Sequence, residues 1–283
     1  MPDKAFSDGR PLATGVGKHT STRNTPSLLN VGLSPDATFF WDGRRTRLEQ
    51  AVMDPFTNPV EMGLHDETVL LEKLRRNPAY RIHDNHDGGA ETSSQQLNRI
   101  ARALTAYLHT VNRRTSAYDR YASAHDPTAL SYPARRGLDV FMGKGQCVQC
   151  HQMRGSPTLF TDQAFHHTGV GLGSVAQDLP RLTQDIIARS LQGEALGNRV
   201  ATHADEAQLG RFNVTHNVAD IGLFRTPSLR GVALTAPYMH DGSVPTLEAA
   251  VDQEIYYRSL SSGHPVGLTV EEKNDLLAFL QAL

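Results

Sequence analysis

Cysteine is almost absent from this chain: 283 residues carry two, Cys147 and Cys150. A multiply stapled disulfide scaffold is excluded. So is a four-cysteine zinc site. Tryptophan is rarer still, with Trp41 alone. Neither sign of charge dominates, since 28 Lys and Arg face 30 Asp and Glu for a formal charge of −2. Nothing in that balance calls for a nucleic acid or an anionic membrane surface. No long uninterrupted apolar run exists, so no transmembrane segment is expected. Period-two alternation is weak throughout, and the chain reads as mainly α. The opening Met1-Pro2-Asp3-Lys4-Ala5-Phe6 has neither the basic n-region nor the apolar h-region of a signal peptide.

What is present is concentrated. Both cysteines fall in Gly145-Gln146-Cys147-Val148-Gln149-Cys150-His151. This is C-x-x-C-H, the attachment signature of a c-type haem. Cys147 and Cys150 would form thioethers to two vinyl groups on one porphyrin edge. His151 would turn under the ring as proximal iron ligand. The competing readings are a lone disulfide, half of a zinc site, or a thioredoxin-like redox pair. The zinc site lacks its second cysteine pair, and the redox pair lacks a βαβ context.

The length suits two domains. Residues 1–40 are punctuated by Gly and Pro and read as loop, with a short buried helical turn over 25–30. A short helix over 48–52 stops ahead of Pro55, and 57–63 is a loop. Residues 67–74 form a helix with Leu70, Leu71 and Leu74 on one face. A surface loop over 84–93 follows. Residues 95–110 form a second helix striped by Leu97, Ile100, Leu104 and Leu108. The polar stretch 112–128 is the domain boundary. Beyond it, a helix over 133–143 runs into the haem motif, with Pro133 in its first turn and Leu138, Phe141 and Met142 as apolar positions. A helix is expected over 185–191. The last one, over 269–283, has Thr269 as N-cap and Glu271 and Glu272 in its first turn. A helix ahead of the motif packing on a C-terminal helix is the arrangement of a class I cytochrome c domain.

Four blocks carry a more specific resemblance. They are Arg23-Asn24-Thr25-Pro26-Ser27-Leu28-Leu29-Asn30; Phe40-Trp41-Asp42-Gly43-Arg44 together with Asn58-Pro59-Val60-Glu61-Met62-Gly63; the haem motif; and Arg225-Thr226-Pro227-Ser228-Leu229-Arg230 continuing to Ala236-Pro237-Tyr238-Met239-His240-Asp241-Gly242. Taken together, nearly end to end, the chain resembles the bacterial dihaem cytochrome c peroxidases and their MauG-like relatives. The resemblance implies two cytochrome c-like domains with calcium at their interface, residues 1–127 facing peroxide and residues 128–283 carrying the second haem. It also implies a periplasmic enzyme whose partners are hydrogen peroxide and either a small redox protein donor or a protein substrate. A homodimer is compatible with it. The family carries two haems c, yet this sequence shows one C-x-x-C-H. Relatives place the other motif just ahead of a segment like Pro2-Asp3-Lys4-Ala5-Phe6-Ser7-Asp8-Gly9-Arg10. The expectation is therefore a truncated or mis-started chain, the alternative being a genuine one-haem relative. A non-catalytic electron carrier is the rival from another functional class.

The resemblance also implies roles for single residues. Glu61 is similar to the distal carboxylate that moves a proton between peroxide oxygens, and Gln50 to its amide companion. Trp41 is similar to the residue that relays electrons or holes between haems. Asn24, Thr235 and Pro237 match positions that hold Ca²⁺ through an amide oxygen and two backbone carbonyls, a donor set suited to a hard cation. His19 matches loosely a displaceable distal histidine, with a loop surface as the simpler reading. His166 and His167 are expected near the second haem, and His240 among groups that orient its surroundings. The sixth ligand of that haem is Met in the peroxidases and Tyr in MauG-like members. Counting without a gap puts Glu254 at that position. A two-residue insertion brings Tyr256 into register, and helical spacing favours Tyr257. Tyr256 is the expected ligand, then Tyr257, with Met239 a lesser candidate.

Overall fold

The computed structural model of the chain describes residues 1–34, 38–81, 91–123, 126–194 and 196–283. The loop expected over 84–93 falls, up to residue 90, outside them. The described residues are mostly helical. The helices are α1 (Leu48–Ala51), α2 (Asp54–Thr57), α3 (Glu67–Arg76), α4 (Pro78–Arg81), α5 (Ser93–Thr110), α6 (Ala117–Ser123), α7 (Tyr132–Met142), α8 (Leu179–Leu191), α9 (Ala204–Ala207), α10 (Phe212–Thr215), α11 (Leu247–Ser262) and α12 (Val270–Leu280). One two-stranded antiparallel sheet pairs β1 (Phe165–His167) with β2 (Leu223–Arg225), Phe165 opposite Arg225. No helix among the described residues is long and apolar enough to cross a membrane.

Local chemistry explains the well-formed helices. Asp66 caps α3 by accepting from the amides of Thr68 and Val69. Thr92 and Gln95 form a capping box at α5, as Thr269 and Glu272 do at α12. The expected stripe of α5 packs on α1 and α3 around Met53, Leu70 and Ala101. One expected element is absent. Residues 25–30 form no helical turn; the short 3-10 turn begins at Val31. The Ser27 hydroxyl accepts from the Leu29 amide, and Asn30 is left-handed at φ 62°. Those local bonds compete with a helix start. The helix expected at 185–191 begins two turns earlier, at Leu179, with Pro180 in its first turn.

The C-terminal half closes around a helix crossing. α7 meets α12 so tightly that a Cβ on Gly137 would stand 1.9 Å from the Asp275 carbonyl oxygen. Only glycine permits that approach. Arg136 grips the Asp275 carboxylate with two bonds of 2.6 Å. Beneath the crossing, Phe141, Phe160, Phe279 and Tyr118 pack edge to face, with ring centroids 5.0 to 6.2 Å apart. Met142, expected on the apolar face, is 47% exposed. It lies one position past Phe141 and so turns off the buried stripe.

The polar stretch 112–128 is not a bare linker. α6 inserts Tyr118 into the C-terminal core. The Asp119 carboxylate pairs with the fully buried Arg230 guanidinium at 2.7 Å through both oxygens. The N-terminal arm crosses back as well. Arg23 Nη2 donates to the Ala207 carbonyl at 2.7 Å, and the Asn24 amide donates to the His240 carbonyl at 2.8 Å. The two halves therefore share backbone contacts on both sides of the expected boundary.

Candidate functional site

The haem motif forms one wall of a cavity of about 260 Å³. The chain leaves α7 through Gly143 and Gly145, turns left-handed at Gln146 (φ 55°), and makes a 3-10 turn over Cys147–Gln149. The His151 amide donates to the Cys147 carbonyl at 2.9 Å. This turn brings both sulfurs and the imidazole to the same cavity. The thiols are not bonded to each other.

Their environments differ. Burial pushes the Cys147 thiol up to about 12. Burial also pushes Cys150 up, but hydrogen bonds from His166 and Arg258 outweigh it and hold that thiol below its ordinary value. Arg258 Nη2 stands 3.3 Å from the Cys150 sulfur. His151 Nδ1 lies 2.9 Å from the Phe160 carbonyl oxygen. A carbonyl only accepts, so Nδ1 carries the proton. Burial lowers the ring to about 4, which keeps it neutral. Nε2 is then a free lone pair, fixed in direction by the bond on the other nitrogen, as metal-binding histidines are.

These residues fit a haem c. Two free thiols stand at the required spacing beside a neutral imidazole with one unspent nitrogen. Arg225 also lines the cavity. Burial lowers it to about 10. Its guanidinium meets only neutral acceptors among the described residues: the Phe40 and Thr226 carbonyls and Gln163 Oε1. A half-buried cation on the wall, with Asp42 acting on it only at a distance, suits a propionate. Another cluster competes for Cys150. Its sulfur, the Asp162 carboxylate and the His166 ring lie within 4.8 Å of one another. His166, however, is raised to about 9, first by its bond to Cys150, then, against burial, by Asp162. The 2.7 Å bond from His166 Nε2 to the Asp162 carboxylate already joins two members of that cluster.

The expected site residues divide into two groups. Asn24, Trp41, Thr235, Pro237, Met239, His166, His167 and His240 all line the cavity. The Trp41 indole N–H donates to the Asn24 carbonyl at 2.9 Å. Asn24 spends its side-chain N–H groups on the Arg10 and Pro11 carbonyls, at 2.8 and 3.2 Å. Its amide oxygen accepts no hydrogen bond among the described residues. His240 Nε2 donates to Gln208 Oε1 at 2.7 Å, and its ring stacks 3.6 Å from Phe224. Burial first, then Arg23, lowers it to about 3.

Glu61 and Gln50 lie elsewhere. Glu61 sits half-buried in the turn after Asn58, its carbonyl accepting from the Val16 amide at 2.7 Å. Burial raises its carboxyl, with Arg44 opposing and Asp54 assisting. Gln50 is exposed on α1 and makes no hydrogen bond to Glu61 among the described residues. His19 is exposed in its loop.

The tyrosine expectation needs correcting. α11 is a continuous helix from Leu247 to Ser262. Its cavity face is Leu247, Ala250, Val251, Glu254, Ile255 and Arg258. Residue 256 is turned roughly 200° from residue 254 at 3.6 residues per turn. Tyr256 is accordingly 58% exposed. Tyr257 packs against Gly169, where a Cβ would stand 1.4 Å from its Cζ. Neither lines the cavity. Glu254 does; burial raises its carboxyl, with Arg258 and His166 opposing. Sequence reasoning missed Arg258, Asp162 and Gln208. Helical spacing from Glu254 points to Arg258, but no local pattern announces the other two.

A thiol pair and a neutral imidazole in one cavity of a mostly helical chain define a c-type haem protein. The family model described as di-haem cytochrome c peroxidase matches residues 1–127. A cytochrome c-like model, RoxA-like, matches residues 223–255. The chain is 32% identical to cytochrome-c peroxidase IdrP2 of Denitromonas iodatirespirans, over 100% of this chain and 74% of that one. It is equally 32% identical to the methylamine utilization protein MauG of Methylophilus methylotrophus, with the same coverage. A crystal structure of a MauG-like protein associated with microbial copper homeostasis superposes with TM-score 0.74 at 28% identity, covering 100% of this chain and 81% of that one. The diheme peroxidase BthA from Burkholderia thailandensis shares the fold at TM-score 0.75. The chain belongs to the di-haem cytochrome c peroxidase family, MauG proteins included, and is a haem oxidoreductase of that kind.

Proposed function

We propose that this chain serves a peroxidase in which hydrogen peroxide would meet a first haem beside Glu61, a haem whose attachment motif this sequence does not contain, and that oxidising equivalents would pass by way of Trp41 to the cavity of Cys147, Cys150 and His151. The organising observation is the segment 41–44. Trp41 lines the cavity on one side. Arg44, three residues on, acts on the Glu61 carboxyl on the other. Between them Asp42 is fully buried and ion-paired to Arg23 at 3.3 Å and Arg44 at 3.1 Å. One pinned turn thus spans the distance between the two groups of site residues.

A haem c held by the two cysteines and His151 supplies an iron that changes oxidation state one electron at a time. Everything else falls to the protein. The raised carboxyl of Glu61 takes a proton from one peroxide oxygen and returns it to the leaving oxygen, a transfer favoured by a pKa nearer to neutrality. Each peroxide consumes two electrons and two protons to give two waters. The Trp41 indole, oxidisable and fixed by its N–H bond, relays charge. The electrons come from a small redox protein or from a side chain of a protein substrate.

Residues 1–127 form the peroxide-facing part and 128–283 the cytochrome part, in a periplasmic setting that covalent haem attachment requires. Calcium between them is held by the free amide oxygen of Asn24 and the carbonyls of Thr235 and Pro237. Stopped-flow mixing of the haem-loaded protein with peroxide tests the reading. Fast spectral change that Glu61→Gln slows supports it. An unchanged spectrum supports a simple electron carrier instead.

A further inference from the structure

α11 presents an almost wholly apolar face to the cavity until its last two turns, where Glu254 and then Arg258 enter the wall. Glu254 is the sole carboxylate among the residues lining that cavity. It accepts no hydrogen bond among the described residues. Nor is it within ion-pair distance of Arg258, one turn further on, whose guanidinium is turned to the Cys150 sulfur at 3.3 Å. Glu254 is half-buried, and Arg258 and His166 act on its carboxyl from a distance; its oxygens, uncommitted to any hydrogen bond among the described residues, are open to a cation within the cavity.

Several of the other oxygen and nitrogen donors nearby are spent or turned away. His240 Nε2 is committed to Gln208. His166 is bonded to Asp162 at 2.7 Å. Tyr256 faces outward, and Tyr257 is wedged on Gly169. His167 and Met239 remain as competing donors, since both line the cavity.

We propose that the carboxylate of Glu254 is the second axial ligand of the haem anchored by Cys147, Cys150 and His151. This rests on the haem reading above. The cavity then holds a neutral imidazole donor and an anionic oxygen donor on separate elements, the motif turn and α11. A hard anionic oxygen favours ferric iron, whereas a thioether raises the reduction potential.

The test uses the haem-loaded full chain. Haem content is scored first on a denaturing gel. A wild type without covalent haem overturns the haem reading and this inference with it. At equal haem content, Glu254→Gln is expected to change the ferric electron paramagnetic resonance signal and the visible spectrum. Glu254→Met is expected to introduce a sulfur-to-iron charge-transfer band and to shift the reduction potential upward. Tyr256→Phe, Tyr257→Phe and Met239→Leu are expected to match the wild type. The inference is overturned if Glu254→Gln superimposes on the wild type. It is also overturned if Tyr257→Phe or Met239→Leu produces the spectral change instead.

Discussion

α5 and α12 begin alike and end differently. Each opens with a threonine capping box, and each carries an apolar stripe. α12 meets α7 backbone to backbone at Gly137 and buries Leu276, Phe279 and Leu280 to 6% exposure or less. On α5, Leu97, Ile100 and Leu104 stay half-buried, and Tyr107 is 60% exposed. Capping and periodicity decide that a helix forms. A glycine at the crossing decides how closely its partner approaches. The site follows the same division. The candidate haem-holding residues hang from the tight crossing, while Glu61 sits on a turn and Gln50 on α1 of the looser half.

That contrast can be broken or sharpened, the largest effect first. Replacing Cys147 and Cys150 together by alanine should abolish covalent haem, read by haem staining. The α3–α5 half should keep its helical signal. Glu61→Gln should lower kcat/KM for peroxide by about 10²–10⁴-fold at unchanged haem content, which steady-state assays check. An equal rate would detach Glu61 from the chemistry and leave the looser half without a catalytic role.

Stability should show the opposite bias. Asp119→Ala strands the fully buried Arg230 and should cost about 3–5 kcal/mol. Gly137→Ala forces the α7–α12 crossing apart and should cost about 1–3 kcal/mol. Both are measured by denaturant titration of the haem-loaded protein. Tyr107→Ala on α5 should change almost nothing; a comparable loss there would erase the distinction between the halves.

The smallest effect concerns pH. His240 is lowered by burial from 6.5 to about 3 in the fold. Between those values the unfolded chain holds a proton that the folded one does not, so stability falls as pH drops through that window. Below about 3 this contribution is flat, and above 6.5 it is fully present. His240→Gln should remove that slope, read as midpoint against pH. A slope identical to the wild type would refute the assignment.

Much of this was legible from the sequence because it is local. C-x-x-C-H names its candidate ligands by spacing alone, and the Thr269 cap and the stripe of α5 follow from short-range rules. The misread parts depend on contacts distant in sequence. Tyr256 was favoured by assuming an inserted pair of residues, whereas an uninterrupted α11 turns it outward and Glu254 inward. The polar stretch 112–128, read as the domain boundary, also carries α6 and the buried Asp119. Its partner, Arg230, lies 111 residues away and has no local signature. The helical turn over 25–30 lost to the Ser27 hydroxyl bond and to left-handed Asn30.

The central claim is that Cys147, Cys150 and His151 hold a haem that the polypeptide cannot release. Intact-mass spectrometry of the denatured chain, exported in a host that matures c-type cytochromes, tests it most directly. The account predicts a mass increased by one covalently bound haem, lost when both cysteines are replaced. A wild-type mass equal to the bare polypeptide would contradict it.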